Sequence, residues 1–457
     1  MMERWLRPLG LVAVAAVALL AASLPKPAPE AGPEFTEVVP PPGEATAQES
    51  LWYCGWINSG ASRESLIAVA SLSDADVKFT HPDPRVGEPE DIGQLSMDGP
   101  GAAVQDVAEV VNRGDAPGFI EFSNGPATAS AIVSGETAVS GDRCVGSVPK
   151  LWHIAGLTTR DGYDLTLRLF NPIPDNAKVQ VRASSELGTE ALPDLQNIDV
   201  VGKTWVDVDL KEVIPFLDTL VITVSSDEGT VIPTIIQGRP DDEASWPGTG
   251  LSTVWTFPTA TLGGMTPRLT VWNPNEGPVD VEIDLYTRSS VVTAAFAATI
   301  EAGRPAAFDL SDQSNGAVGV RVRSLGSDAI AAAVVAEDVV IETPGDEEVT
   351  DDAEPPSRIA GTVGADQESS SWLLPGAGGL VGGDTSIWLL NTSSEQITVT
   401  LQPLGSSALP ADKVSIAPNS FRRVRLITTS AVGGYRVDAA VPITASWSCL
   451  LYTSPSP

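Results

Sequence analysis

Two histidines, three cysteines, 59 carboxylates and eleven tryptophans are the side chains from which this 457-residue chain could build chemistry. His81, in FTHPDP, and His153, in LWHI, belong to no H-x-x-x-H or H-E-x-x-H pattern. A zinc hydrolase or a Ser-His-Asp triad therefore has no support. No G-x-S-x-G elbow, dinucleotide-binding G-x-G-x-x-G turn or phosphate-binding G-x-x-x-x-G-K-[ST] loop occurs, and no cofactor or resident metal is expected. A pair of carboxylates could serve glycoside hydrolysis. In so acidic a chain, the simpler role for any one Asp or Glu is solvated surface charge.

The tryptophans define a repeat. LWYC, LWHI, VWTF and SWLL place Trp52, Trp152, Trp255 and Trp372 at spacings of 100, 103 and 117 residues. LRLFNP, LTVWNP and IWLLNT then put Asn171, Asn273 and Asn391 at 19, 18 and 19 residues after their tryptophans. The first copy has Ser71 at that place. Beyond each Asn, apolar residues alternate: Ala177, Val179 and Val181; Val279, Val281 and Ile283; Ile397, Val399 and Leu401. Period-two alternation puts one face of a strand into a core. WVDVDL, AAFDL and RRVRL follow, ending at Leu210, Leu310 and Leu426. About 100 residues of short strands and frequent turns is the size of a β-sandwich rather than of a solenoid repeat.

The fold expected is thus all-β, as tandem immunoglobulin-like sandwiches over residues 51–149, 150–247, 248–342 and 370–457. AAVQDVAEVVNRG is the best helix candidate and reads almost as well as strand. The turn Asn bonds its own turn, and a following Pro ends the ladder; an Asn lining a ligand site is the alternative. TPGDEEVTDDAEPP, with six acidic residues in fourteen, makes 343–369 an acidic linker. It lacks the regular oxygen spacing of a calcium loop. The repeated tryptophans belong to cores or to packing between units. Trp272 and Trp388, close before the turn Asn, lie on the opposite strand face from Val271 and Leu389. They are the candidates for exposed rings that stack on a sugar.

Arg4 and Arg7 precede the apolar run LGLVAVAAVALLAASL, so residues 1–24 read as an export signal, cleaved or kept as an anchor helix. Residues 25–50 form a Pro-rich linker. Export implies an oxidising compartment. Cys54 and Cys144 bracket the first unit, and a bridge between them is worth up to about 4–5 kcal/mol in the chain-entropy model. Cys449 is then left over, buried or paired between chains; a Cys54–Cys449 bridge, tying the array end to end, is the other pairing. The formal charge of −32 argues against nucleic acid and against contact with an anionic membrane except through the N-terminal segment.

WYC at Trp52–Cys54, Cys144 before the next unit, LRLFNP, LTVWNP and the closing ASWSC together resemble the domain-of-unknown-function family 5719. The resemblance runs from about Leu51 onward and departs at Ser71. It implies an exported actinobacterial protein of the cell envelope and carries no catalytic residue across. The expected function is non-enzymatic binding or scaffolding, with envelope polysaccharide or envelope-assembly proteins as partners. An enzyme using paired carboxylates and a passive adhesin or spacer are the rivals.

Overall fold

The computed structural model describes residues 50–58, 64–82, 89–107, 115–134, 139–214, 216–240, 242–260, 265–312, 316–338, 358–378, 383–405, 410–426 and 432–451. The export segment, the Pro-rich linker apart from Ser50, and the acidic run 343–356 lie outside them. All described residues fall within one compact unit, Thr46–Pro457. Among them no helix is long and apolar enough to cross a membrane.

Among the described residues thirty-one strands fall into four repeats. The first repeat contains β1 (Ser50–Asn58), β2 (Glu64–Ser71), β3 (Ala75–Pro82), β4 (Pro89–Met97), β5 (Gly101–Asp106), β6 (Asp115–Phe122), β7 (Ala127–Ser134) and β8 (Val139–Arg143). The second contains β9 (Leu151–Leu157), β10 (Asp164–Phe170), β11 (Ala177–Ser185), β12 (Gly188–Ala191), β13 (Ile198–Val200), β14 (Trp205–Asp209), β15 (Leu220–Glu228), β16 (Ile232–Arg239) and β17 (Asp242–Pro247). A four-residue helix, α1 (Leu210–Val213), follows β14, capped by the Asp209 carboxylate. The third repeat contains β18 (Val254–Phe257), β19 (Thr266–Trp272), β20 (Val279–Tyr286), β21 (Val291–Ile300), β22 (Pro305–Asp309), β23 (Gly319–Ser324), β24 (Ala331–Glu337) and β25 (Ile359–Val363). The fourth contains β26 (Ser369–Pro375), β27 (Gly383–Asn391), β28 (Ile397–Gly405), β29 (Asp412–Ile416), β30 (Ser420–Arg425) and the long β31 (Val432–Leu451).

Each repeat folds into two antiparallel sheets. The first sheet runs β1-β6-β3-β4, β9-β15-β11-β12 and β18-β23-β20-β21 in the first three repeats; the second runs β5-β2-β7-β8, β14-β10-β16-β17 and β22-β19-β24-β25. In the fourth repeat β31 serves both sheets, pairing with β26 and β28 in its first half and with β27 in its second. The two sheets enclose one apolar core, as where Leu165, Leu167 and Leu169 of β10 meet Val179 and Val181 of β11. The AAVQDVAEVVNRG segment is strand over Gly101–Asp106, and its remainder is outside the described residues except for Val107.

Two expectations are corrected. In an immunoglobulin domain the first strand shares a sheet with the second and fifth; here it pairs with the sixth (the seventh in the second repeat), in the sheet of the third and fourth. Alternation records which face is buried, not which neighbour a strand takes. Secondly, 343–369 is no linker between units. β25 lies within it and pairs with β24, closing the third repeat rather than preceding the fourth. The spacing carried that signal: Arg143 stands nine residues before Trp152, Pro247 eight before Trp255, and Val363 nine before Trp372.

The turn Asn is fully buried in all three copies. Asn273 Oδ1 accepts from the Asn275 amide at 2.9 Å, and its Nδ2 donates to the carbonyls of Gly277 and Ile300, both at 2.8 Å. Asn171 makes the same three bonds with Ile173, Asp175 and Val200, and Asn391 with Ser393, Glu395 and Ala417. The side chain thus closes its own turn and ties the end of the second strand to the chain leaving the fourth. Ser71 keeps only the turn contact, to Ser73.

Consecutive repeats pack head to tail, the first sheet of one against the second sheet of the next. Phe170 stacks on Phe119 (centroids 5.9 Å apart) and meets Tyr53 edge-on at the first junction. Ala155 and Val221 of the second repeat meet Trp272, Ala331 and Ala333 of the third. Tyr286 of the third meets Trp388, Leu390 and Phe421 of the fourth. The fourth then returns to the first: Leu404 and Leu373 pack on Ala70 and Ala102. A Cβ at Gly433 would lie 2.7 Å from the Ala102 carbonyl oxygen, so the two backbones touch. Head-to-tail contacts whose rotation closes make a ring, and these four repeats form one within a single chain.

Candidate functional site at the second junction

A polar cluster sits where the second and third repeats meet. The β9–β10 loop supplies Thr158, Arg160 and Tyr163, and the segment before β15 supplies Phe216 and Asp218. β16 supplies Gln237 and Arg239, β19 supplies Arg268 and Thr270, and β24 supplies Glu337. The two loops are fastened together. Thr159 N donates to Leu217 O at 2.9 Å, Leu217 N to Thr159 Oγ1 at 2.9 Å, and Thr158 Oγ1 to Leu217 O at 2.9 Å. Gln237 Oε1 accepts from the Thr158 amide at 3.2 Å.

Glu337 receives Arg160 Nη2 at 3.0 Å, Arg239 Nη1 at 3.2 Å and the Tyr163 hydroxyl. The Arg239 and Arg160 guanidinium carbons lie 4.8 Å and 5.2 Å from the Tyr163 ring centre. Burial, followed by the bond to Glu337, pushes the Tyr163 phenol up to about 12, so it stays a neutral donor. Asp218 lies between Arg160, 3.2 Å away, and Arg268, whose hydrogen bond holds its carboxyl below the usual carboxylate range. Three guanidinium groups face two carboxylates, one positive charge in excess. The Nε atoms of Arg160 and Arg239 are buried without a hydrogen-bond partner.

Of these residues Arg160, Asp218, Arg268 and Glu337 line a shallow, half-open depression with Gly156, Leu157, Thr158, Gln237, Thr270 and Val335; its interior of about 20 Å³ has room for a water-sized group. Phe216, on the loop that carries Asp218, is 71% exposed and has φ of +63°. A bulky residue in the left-handed region costs about 1–3 kcal/mol and persists only where its surroundings hold it. Here the Phe216 and Leu217 amides are held by Thr159. The Arg160 and Arg268 guanidinium forks at its wall are groups that can hydrogen-bond oxygen acceptors. Among the described residues no cluster of His, Cys, Asp and Glu could hold a metal ion.

The residues singled out in the sequence do other work. Cys54 and Cys144 are joined in a buried disulfide that pins β1 to the end of β8. The side chain of Cys449 lies outside the described residues. Trp272 and Trp388 are not exposed stacking rings: each is 4% accessible. Strand alternation does turn them away from their own core, but the preceding repeat covers that outer face. Trp272 lies on His153, and Trp388 meets Phe421 with the two rings tilted by 42°, under the Arg423 guanidinium. Trp152 and Trp255 are core residues, as the repeat suggests. No spacing in the sequence joins Arg160, Phe216, Arg268 and Glu337. The one available signal was the scarcity of cations, 27 Lys and Arg against 59 acids.

No curated protein matches the chain. A family model matches residues 107–366, from the middle of the first repeat through the closing strand of the third, including every residue of the junction cluster. That match spans more than half of the sequence, and the chain belongs to the family of unknown function DUF5719.

Proposed function

We propose that the protein is an exported, non-enzymatic component of the cell envelope, whose ring of sandwich-like repeats is a rigid body for binding envelope polysaccharide. The observation that carries this reading is the polar depression at the second junction, where Arg160 and Asp218 from loops of one repeat meet Arg268 and Glu337 from strands of the next. Ligand sites are concave, with a few placed polar groups. The basic flank and apolar run at the N-terminus support export, and so does the Cys54–Cys144 bridge. A passive spacer would gain reach from an extended array, and repeats that close on themselves forgo it.

The test is a glycan array, together with retention of the purified protein on actinobacterial wall polysaccharide. Saturable retention is expected. Retention of no glycan, with catalytic turnover of any of them, would replace this reading with the paired-carboxylate enzyme.

A further inference from the structure

The lining of the depression indicates which chemical group it takes, an inference that rests on the binding reading. Its walls carry no net charge: Arg160 and Arg268 face Asp218 and Glu337, and all four are already paired. Arg160 binds Glu337 at 3.0 Å and Asp218 at 3.2 Å; Arg268 binds Asp218 and, at 2.9 Å, the Thr219 hydroxyl. A charged group entering there meets its own sign as well as the opposite one. A neutral polar group meets no such conflict.

Two side chains of the lining still have polar atoms open. Gln237 is 1% exposed, and its Oε1 accepts from the Thr158 amide at 3.2 Å. An amide nitrogen only donates, so that bond fixes which way the side chain faces. Nε2, with two N–H donors, is left without a hydrogen-bond partner among the described residues. Thr270, 4% exposed, comes from the facing repeat, and its hydroxyl also has no partner among the described residues. The Thr158 hydroxyl, by contrast, is fully used: it donates to Leu217 O and accepts from the Arg160 amide. Buried polar groups are ordinarily bonded, and an open amide beside an open hydroxyl calls for a group that bonds both.

We propose that the depression is a subsite for one hydroxyl of a neutral sugar, the primary hydroxyl of a hexose residue in the polysaccharide. A hydroxyl oxygen can accept from Gln237 Nε2 while its proton goes to Thr270 Oγ1. The interior of about 20 Å³ excludes a sugar ring and admits one oxygen. The primary hydroxyl stands off its ring on a carbon arm, so it reaches further into a shallow recess than a ring hydroxyl does.

Calorimetry with the purified full-length protein tests this, using tetrasaccharides of glucose, galactose and mannose and the 6-deoxy form of each. At least one parent should bind, and its 6-deoxy form should bind about tenfold or more weakly, because the open amide is then left buried without a partner. High salt should leave the affinity unchanged, since no charge is bound. Thr270→Val keeps the shape, removes the hydroxyl and breaks no bond of the free protein. It should weaken the parent by about fivefold at an unchanged melting temperature. Gln237→Glu keeps an acceptor for the Thr158 amide and removes the donor, and it should weaken the parent by about tenfold. Equal binding of the two forms, no binding of any parent, affinity that falls steeply with salt, or full affinity in either variant would each overturn the proposal. If Gln237→Glu does not fold, the deoxy comparison and Thr270→Val still decide it. Retention on wall polysaccharide that is unchanged in Thr270→Val would overturn this subsite and leave the envelope-binding reading standing.

Discussion

Trp272 of the third repeat packs against His153 of the second, with ring centroids 4.9 Å apart and planes tilted by 46°. Both side chains are nearly inaccessible, and each projects from the outer face of its sheet. The contact shows what those outer faces are for: they join repeat to repeat.

Trp272→Ala should therefore act on stability. Truncating a buried Trp costs about 3–5 kcal/mol. Chemical denaturation should show a loss of that order, with glycan retention intact at temperatures where the variant remains folded. Unchanged stability would mean that the ring is not part of the junction.

Acid should loosen the same contact. Burial lowers the His153 imidazole from its ordinary 6.5 to about 4. Between those values the unfolded chain binds more protons than the folded one. The contribution is complete above about pH 6.5 and is lost as pH falls through about 4, some 3 kcal/mol in all. Many carboxylates titrate in the same range, so the readout is a comparison. His153→Gln should lose less melting temperature than the parent between about pH 7 and pH 4.5. Parallel pH profiles would show that His153 contributes nothing to the acid response.

Asn273→Ala removes two bonds accepted by Oδ1, from the Asn275 amide and side chain, and two donated by Nδ2, leaving the Gly277 and Ile300 carbonyls without that partner. At about 1 kcal/mol per bond, plus the cost of unsatisfied groups, a destabilisation of about 4 kcal/mol is expected. Asn273→Ser should recover part of it, because Ser71 makes the turn contact in the first repeat. A serine variant as unstable as the alanine one would show that the turn contact is worth little by itself.

Gly433→Leu should open the ring. The added Cβ would sit 2.7 Å from a backbone oxygen, which cannot move aside as a side-chain tip can. Overpacking of this kind costs about 1–3 kcal/mol. Small-angle scattering should report a larger radius of gyration at neutral pH, and an unchanged radius and melting temperature would argue against closure between the fourth and first repeats.

What the sequence determined by itself is the repeat and its strands. Tryptophan spacing, period-two alternation and the turn Asn are local signals, each confined to a few residues, and the all-β architecture they imply is the one observed. The Cys54–Cys144 bridge was legible because it joins the two ends of one repeat. Tertiary structure decided the rest. Alternation shows that Trp272 and Trp388 leave their own core, but it cannot show that a neighbouring repeat covers them. β25 was hidden by the acidic run before it, since a change of composition resembles a boundary while strand pairing ignores what the intervening loop contains. The junction cluster is the clearest case: Arg160 and Glu337 are 177 residues apart in sequence and 3.0 Å apart in space. Only the packing of one repeat's first sheet on the next repeat's second sheet brings such residues together, because it pairs surfaces assembled from strands that no local spacing connects.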